Sequence, residues 1–299
     1  MSQLGFDNSS DDLVLGFWRL LAWQFTPEQC LSFLQQSIEL GITWTDHADI
    51  YGGHQCEALF GETLRLQPNL REKIKLVTKC GIRPASLEQV KQGQVNHYDS
   101  SAAHIIKSVQ QSLRHFNTDR LDMLLIHRPD YLMQADEVAE AFYQLQKSGA
   151  VLQFGVSNFT PSQVELLQSR LDFKLCANQV EFSPYQMNVL DDGTLDQCQR
   201  MGIKPMCWSP LAGGRLFSEQ SEKAIRLRAT LTQVANEIGA KGLDQVVYTW
   251  LRVHPSRPSV VLGTGNIDRV SSAIAGLTLK LSREQWYRIW QASTGHSVP

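Results

Sequence analysis

The sequence alternates between short apolar runs and longer segments in which apolar residues recur every three or four positions. Several short runs lack a polar face, which is typical of strands buried on both sides of a parallel sheet, and the longer segments are typical of amphipathic helices. The apolar runs begin at Leu13, Ile42, Ile74, Leu121, Val151, Leu175, Ile203 and Ser259. Eight such strands alternating with helices predict an α/β fold, a (β/α)8 TIM barrel.

The helical segments carry start and stop signals. Thr26 is expected to cap the first helix, with Pro27 at its first position and Gly41 just beyond its end. Ser100 or Ser101 is expected to cap a later helix. No Gly/Ser-rich linker, charge block or repeat divides the chain, so residues 1–299 are predicted to form a single barrel domain.

Three segments fall outside the simplest count of strands and helices: residues 90–99, residues 213–223 and a last helix near residues 283–292. Long insertions that follow strands are where barrel enzymes build their pockets. The first two segments follow predicted strands, so we expect them to help form a pocket.

Charge and cysteine usage narrow the functional classes. The 28 basic and 30 acidic side chains nearly balance, which gives no sign of a nucleic-acid or membrane partner. The six cysteines are dispersed without a C-x-x-C pair, so neither a disulfide framework nor a zinc site is predicted. The polar N-terminus lacks the pattern of a leader peptide, and no apolar run approaches membrane-spanning length. We therefore expect a cytoplasmic protein.

Polar side chains stand at or just after the ends of three predicted strands. Asp46 closes the second run and Tyr51 follows it, Lys79 closes the third run, and His127 closes the fourth. In barrels of this kind the active site lies at the carboxyl ends of the strands. We therefore expect these four residues to meet there.

These four residue types suit the reduction of a carbonyl group. That reaction needs a proton donor, a group that polarises the carbonyl and a hydride donor. A tyrosine with an ordinary pKa of about 10 becomes a better proton donor when an ammonium favours its ionised form. We expect Asp46 to hold Lys79, Lys79 to lower the pKa of Tyr51, and a neutral His127 to orient the substrate oxygen.

The block TDHADIYGG, followed by VTKC, LLIHRPD, GVSNFT and NQVE, resembles the aldo-keto reductases across essentially the entire chain. The versions GFWRL, DHADIYGG and HRPD look most like a bacterial branch of oxidoreductases assigned by sequence. The resemblance implies reduction of a small aldehyde or ketone to an alcohol, with hydride from NADPH and a proton from Tyr51. It also implies a monomer.

The resemblance implies a binding site for the nicotinamide half of the cofactor. Ser157, Asn158 and Gln179 would hydrogen-bond the carboxamide, and Trp208 would stack on the ring. Trp18 is expected beside them at the barrel mouth.

The resemblance also implies a binding site for the rest of the dinucleotide. The pyrophosphate is expected against Ser209, Leu211, Gly213 and Gly214. The adenosine side is expected against Thr264, Gly265, Asn266 and Ser272. Arg269 is available to pair with a 2′-phosphate, which favours NADPH over NADH. Many relatives have an asparagine at the position of Ala273, so this chain departs from the family pattern on the adenosine side.

Three further residues are expected to contact the substrate. Trp23, Ile50 and His97 lie on segments expected at the barrel mouth. Aromatic walls there would suit an aldehyde or ketone with apolar substituents.

Two other functions remain open from the sequence. A protein with this fold can be an NADP(H)-binding regulatory or partner-binding subunit, as the potassium-channel β subunits are, and an intact set of four residues does not exclude this. A metal-dependent barrel hydrolase could use His47, Asp49 and His127 as ligands, but further converging ligands are not evident in the sequence, and no metal is expected.

Overall fold

The computed structural model describes residues 12–299. Residues 1–11, on which the expectation about a leader peptide rests, lie outside the described residues. The strands, in chain order, are β1 (Leu13–Gly16), β2 (Trp44–Asp46), β3 (Lys75–Cys80), β4 (Ile82–Arg83), β5 (His97–Tyr98), β6 (Leu121–Ile126), β7 (Val151–Ser157), β8 (Ala177–Glu181), β9 (Lys204–Trp208) and β10 (Ser259–Leu262). Strands β4 and β5 form a separate antiparallel pair.

The other eight strands are parallel and close into a barrel in the order β1-β2-β3-β6-β7-β8-β9-β10, with β10 pairing back to β1. Each of these strands begins at the start of one of the apolar runs or at most two residues after it. The predicted (β/α)8 barrel is therefore confirmed.

The α-helices surround the barrel and connect its strands. They are α1 (Pro27–Glu39), α2 (Tyr51–His54), α3 (Cys56–Leu66), α4 (Leu87–Lys91), α5 (Ala102–Phe116), α6 (Ala135–Lys147), α7 (Pro161–Gln168), α8 (Thr194–Met201), α9 (Arg215–Ser218), α10 (Glu222–Ile238), α11 (Leu243–Arg252), α12 (Ile267–Gly276) and α13 (Arg283–Thr294). The predicted caps are present, because the Thr26 hydroxyl accepts from the Gln29 amide and the Ser101 hydroxyl accepts from the His104 amide. No helix in the described part of the chain is long and apolar enough to cross a membrane.

The buried apolar side chains form two clusters. The larger cluster packs the helices against the barrel. The smaller one comes from the strands and includes Trp44, Val77, Leu125 and Met206. Because side chains two positions apart on a strand share a face, Asp46 lies on the face of Trp44 and Lys79 on the face of Val77. The polar residues thus continue an apolar column at the carboxyl ends of the strands.

The segments outside the simplest count form small elements. The connection from β3 to α5 contains the β4–β5 pair and the short helix α4. The loop after β9 contains a 3-10 turn at Ala212–Gly214, followed by α9. The last helix is α13, as predicted.

Candidate active site

Lys79 lies at the centre of the predicted group of four residues and is fully buried. Its ammonium donates hydrogen bonds to the Asp46 carboxylate at 2.8 Å, the His47 carbonyl at 2.7 Å and the Tyr51 hydroxyl at 3.1 Å. All three N–H groups of the ammonium therefore have an acceptor. The structure brings Asp46, Lys79 and Tyr51 into one hydrogen-bonded set.

Strand ends and one tight turn place these side chains. Asp46 is the last residue of β2, and Lys79 precedes the last residue of β3. Tyr51 begins the short helix α2, where Gly52 and Gly53 have φ values of 59° and 62°. A side chain with a Cβ rarely adopts these angles, so glycine permits the turn that holds Tyr51.

His127 directly follows β6 and faces Tyr51. The centres of the two rings lie 5.8 Å apart, with an angle of 78° between the ring planes. A carbonyl oxygen placed between the rings could accept hydrogen bonds from both side chains.

Burial and charge set the protonation of the group. Burial raises the pKa of the Tyr51 hydroxyl, and the Lys79 ammonium opposes this rise. Lys79 lowers the pKa of Tyr51, as expected, but burial has the larger effect, so the pKa of Tyr51 lies above its ordinary value. Burial alone would lower the pKa of Lys79, but Asp46 and Tyr51 outweigh it and the pKa lies above its ordinary value.

The His127 imidazole is neutral near pH 7. Burial lowers the pKa of His127 well below its ordinary value, and the positive charges of Lys79 and Arg128 act in the same direction. A neutral ring keeps one N–H for donation to a substrate oxygen. The electrostatics therefore agree with the expectation of a neutral His127.

The residues predicted to bind the carboxamide form a connected network beside the group of four. The Asn158 side chain donates to the Ser157 hydroxyl at 2.8 Å and accepts from the Trp208 indole at 3.1 Å. The Gln179 amide donates to Asp46 at 2.7 Å. Asn158 has a φ of 60°, a strained backbone conformation of the kind often found at functional sites. Gln179 thus joins this network to Asp46.

One cavity of about 1000 Å³ runs along the carboxyl ends of the strands. Of the predicted site residues, it is lined by Trp18, Asp46, Ile50, Tyr51, His127, Ser157, Asn158, Gln179, Trp208, Ser209, Leu211, Gly213, Gly214, Thr264, Arg269 and Ser272. Lys79 lies behind Tyr51 instead of lining the cavity. A single cavity therefore connects the catalytic candidates with the residues predicted for the adenosine side.

Four of the predicted site residues, Trp23, His97, Gly265 and Asn266, do not line the cavity. Trp23 packs against Phe17, Phe25 and Phe33, and a Cβ on Gly265 would lie 2.7 Å from its ring, so Gly265 leaves room for this packing. The Asn266 side chain caps α12 by accepting from the Asp268 and Arg269 amides. His97 is exposed on the β4–β5 pair. Sequence position alone did not give the direction of the Trp23, Asn266 and His97 side chains.

Four charged residues that were not predicted as site residues line the cavity: Arg19, Arg128, Asp244 and Asp268. The Arg19 guanidinium donates to the Gly213 carbonyl at 3.2 Å and so bridges the β1 and β9 loops. The Asp244 carboxylate accepts from the Ser272 hydroxyl at 3.1 Å. Arg128 lies beside His127. The position of Arg128 directly after a strand-end histidine could have indicated a site residue. Asp244 lies on a helix, where the sequence gives no comparable indication.

His47 does not contribute to a metal site. Its ring is fully buried, stacks on Phe17 at 4.8 Å between ring centres and also contacts Phe60 and Phe116. Within residues 12–299, no group of three or more His, Cys, Asp or Glu side chains could hold a metal ion. The geometry therefore gives no support to the metal-dependent hydrolase.

Comparison with known proteins agrees with the fold. The model of the Aldo/keto reductase family matches residues 12–294. This match covers most of the chain, so the protein belongs to the aldo/keto reductase family of oxidoreductases.

Individual relatives cover nearly the whole chain. Oxidoreductase YdhF of Escherichia coli strain K12 is 51% identical over 286 residues, which are 96% of this chain and 94% of that protein. A 6-dehydroglucose reductase of Agrobacterium fabrum is 39% identical over 96% of this chain and 95% of that protein. An aldo/keto reductase structure from Klebsiella pneumoniae, in complex with NADP and acetate, superposes with a TM-score of 0.74 at 24% identity, over 96% of this chain and 92% of that one. This last match supports the fold.

Proposed function

We propose that the protein reduces aldehydes or ketones to alcohols, using NADPH as the hydride donor and Tyr51 as the proton donor. The observation that carries this proposal is the hydrogen bond from the Lys79 ammonium to the Tyr51 hydroxyl, at one end of a cavity that continues to Arg269. A proton donor tuned by a buried charge, beside a neutral histidine, suits a reaction that generates negative charge on oxygen.

Each residue of the group has a separate task. Tyr51 transfers its proton to the carbonyl oxygen as negative charge develops there, and His127 holds that oxygen by a hydrogen bond. Lys79 stabilises the phenolate that remains on Tyr51, and Asp46 balances the ammonium charge. The dinucleotide, when bound, supplies the hydride that reaches the carbonyl carbon. The tyrosine is then reprotonated from solvent.

The cavity suits a phosphorylated dinucleotide by the chemistry of its lining. Trp208 offers a flat ring for the nicotinamide, and Gly213, with a φ of 67°, allows a close approach of backbone and pyrophosphate. Arg269 supplies a positive charge for a 2′-phosphate, which favours NADPH over NADH. The Klebsiella protein was solved with NADP, so a barrel of this shape accommodates that nucleotide.

The reaction class draws further support from the relatives, since one of them is named 6-dehydroglucose reductase. The proposed location is the cytoplasm, because all six cysteines have free thiols, as expected in a reducing compartment.

The test is NADPH oxidation by purified protein with a panel of aromatic and aliphatic aldehydes and ketones, with NADH measured in parallel. Tyr51→Phe should lower kcat by about a hundredfold or more, the usual size of a general-acid contribution, and leave the Kd of NADPH nearly unchanged. Normal turnover by Tyr51→Phe would contradict the assignment of the proton donor. Tight NADPH binding without turnover of any carbonyl would instead favour a regulatory or partner-binding subunit.

A further inference from the structure

Arg128 is a partly buried arginine that lines the cavity next to His127. Its guanidinium carbon lies 5.7 Å from the centre of the Trp208 ring, close enough for a cation–π contact. Within residues 12–299, its side chain has neither an ion pair nor a hydrogen bond. A guanidinium has five N–H donors, so Arg128 brings unused donors and a positive charge to the cavity.

The carboxylates near Arg128 do not neutralise it. Asp46 is already bound to Lys79 and Gln179. Burial raises the pKa of Glu181, while Arg215 and Arg128 both lower it, so Glu181 lies within electrostatic reach of both arginines. Glu181 does not line the cavity and makes no ion pair with Arg128. The catalytic end of the cavity therefore presents an excess positive charge.

We propose that Arg128 binds a negatively charged group of the substrate, so that the preferred substrates are aldehydes or ketones that also carry a carboxylate or a phosphate. This inference rests on the proposed reductase function. His127 and Arg128 are consecutive, and neighbouring Cα atoms lie about 3.8 Å apart, so a small molecule can reach both side chains. Arginine suits this role because its planar fork can form paired hydrogen bonds with either anion.

Contact with Trp208 also suits an anion-binding role. A guanidinium held against an aromatic face loses fewer conformations when it binds an anion than a freely rotating one does. Arg128→Lys would keep the charge and lose the fork, and Arg128→Met would lose the charge and keep much of the length. The two variants therefore separate charge from geometry.

The test compares matched substrates with NADPH in excess. The carboxylate arm uses 4-carboxybenzaldehyde against benzaldehyde, and the phosphate arm uses D-glyceraldehyde 3-phosphate against D-glyceraldehyde. In at least one arm the wild-type protein should favour the charged substrate in kcat/KM by about ten- to a hundredfold, the range expected from a hydrogen bond to a charged group. Arg128→Met should abolish this preference, mainly through KM, and Arg128→Lys should retain part of it.

Arg120→Met is the matched control. Arg120 precedes β6, at the opposite end of the strand from Arg128, and pairs with Glu72 on the surface. Its replacement should leave the preference for charged substrates unchanged. Loss of preference in both variants would point to overall charge and contradict a site at Arg128.

Other outcomes separate this inference from the reductase function. Reduction of charged and neutral substrates with equal kcat/KM in both arms would overturn the role of Arg128 and leave the reductase intact. An equal loss of kcat on all substrates in Arg128→Met, with a shifted pH profile, would show that Arg128 acts on Tyr51 instead of on an anion. If no aldehyde is reduced, calorimetric titration of NADP⁺-saturated protein with benzoate and with inorganic phosphate tests the anion site directly. Weaker binding by Arg128→Met than by the wild type would support the site, and equal binding by the two proteins would overturn it.

Discussion

Lys79 illustrates how a fully buried charge is stabilised in this barrel. Its ammonium has three acceptors, one of them the carboxylate of Asp46, which is itself 3% exposed. Removal of one partner from a buried ion pair leaves the other charge uncompensated, which is strongly destabilising. Loss of one of the contacts that we propose prepare Tyr51 for proton transfer should therefore also destabilise the fold.

Lys79→Met should lower the free energy of unfolding by about 3–5 kcal/mol, because it leaves the buried Asp46 carboxylate without its positively charged partner. The double variant Lys79→Met with Asp46→Asn should recover part of this loss, since no unpaired charge remains, and should still lack reductase activity. Urea denaturation of the two variants and the wild type measures the difference. A double variant no more stable than Lys79→Met would contradict the ion-pair explanation.

Asp49 should make stability depend on pH. Burial and the neighbouring Glu57 raise the pKa of Asp49 to about 7, against about 3.9 for an unfolded chain. Between these values the folded protein holds a proton that the unfolded chain has lost. The stability contributed by this group is therefore complete below pH ~4 and is lost as the pH rises through about 7.

Asp49→Asn keeps the side chain neutral at every pH, so it should stabilise the protein relative to wild type more at pH 8 than at pH 5. Urea denaturation at the two pH values measures the change in unfolding free energy. A pH-independent difference between variant and wild type would mean that Asp49 does not titrate in this range.

The candidate active-site residues were predictable where the strand itself fixes the side chain. Asp46, Lys79 and His127 end apolar runs, and the carboxyl ends of parallel strands meet at one edge. Trp23 and His97 were not predictable in this way, because they lie in connections where backbone turns decide which way a side chain points. The Trp23 side chain packs in an aromatic cluster, and the His97 side chain is exposed to solvent.

At the scale of elements, α3 and α5 pack closely because of one glycine. A Cβ on Gly61 would lie 1.8 Å from the His115 carbonyl oxygen, and the Asn117 side chain, at the end of α5, donates to the Gly61 carbonyl at 3.1 Å. The atom that would clash belongs to the backbone, so a side-chain rearrangement cannot relieve the contact.

Gly61→Ala should therefore lower the free energy of unfolding by about 1–3 kcal/mol or more, the typical cost of overpacking. Gly41→Ala is the control, because its Cβ would meet nothing within 4 Å and only its φ of 89° is unfavourable. Thermal and urea unfolding of both variants test this. If Gly61→Ala were as stable as wild type, α3 and α5 would be farther apart than in the structure.

The barrel strands were predictable, since long runs of buried apolar residues leave few alternatives in an α/β chain. The β4–β5 pair was not, because Ile82–Arg83 and His97–Tyr98 are each two residues long and partly or fully exposed. Their pairing depends on the fold of the connection between them. The alternation of apolar and polar residues that marks a strand cannot be recognised in segments of only two residues.

At the scale of the whole molecule, the cavity collects residues from distant parts of the chain. Trp18 comes from the loop after β1, Trp208 from the end of β9, and Arg269 from α12. The strands that carry them are held in one closed barrel, in which β1 pairs with β10. A dinucleotide that contacts all of them binds only the folded chain, so its binding free energy adds to the stability of the barrel.

NADPH at a hundred times its Kd should therefore raise the free energy of unfolding by about 2.7 kcal/mol. At the same NADPH concentration Arg269→Ala should lose much of this increment, because the 2′-phosphate loses its partner, whereas the increment from NADH should change little. Thermal unfolding with each nucleotide measures both, and Arg283→Ala, at an exposed position on α13, is the control for a general loss of positive charge. Equal losses of stabilisation with NADPH and NADH would mean that Arg269 does not bind the 2′-phosphate. Asp244 would then be the residue to examine for recognition of a ribose hydroxyl. Its carboxylate lines the same end of the cavity and accepts a hydrogen bond from the Ser272 hydroxyl.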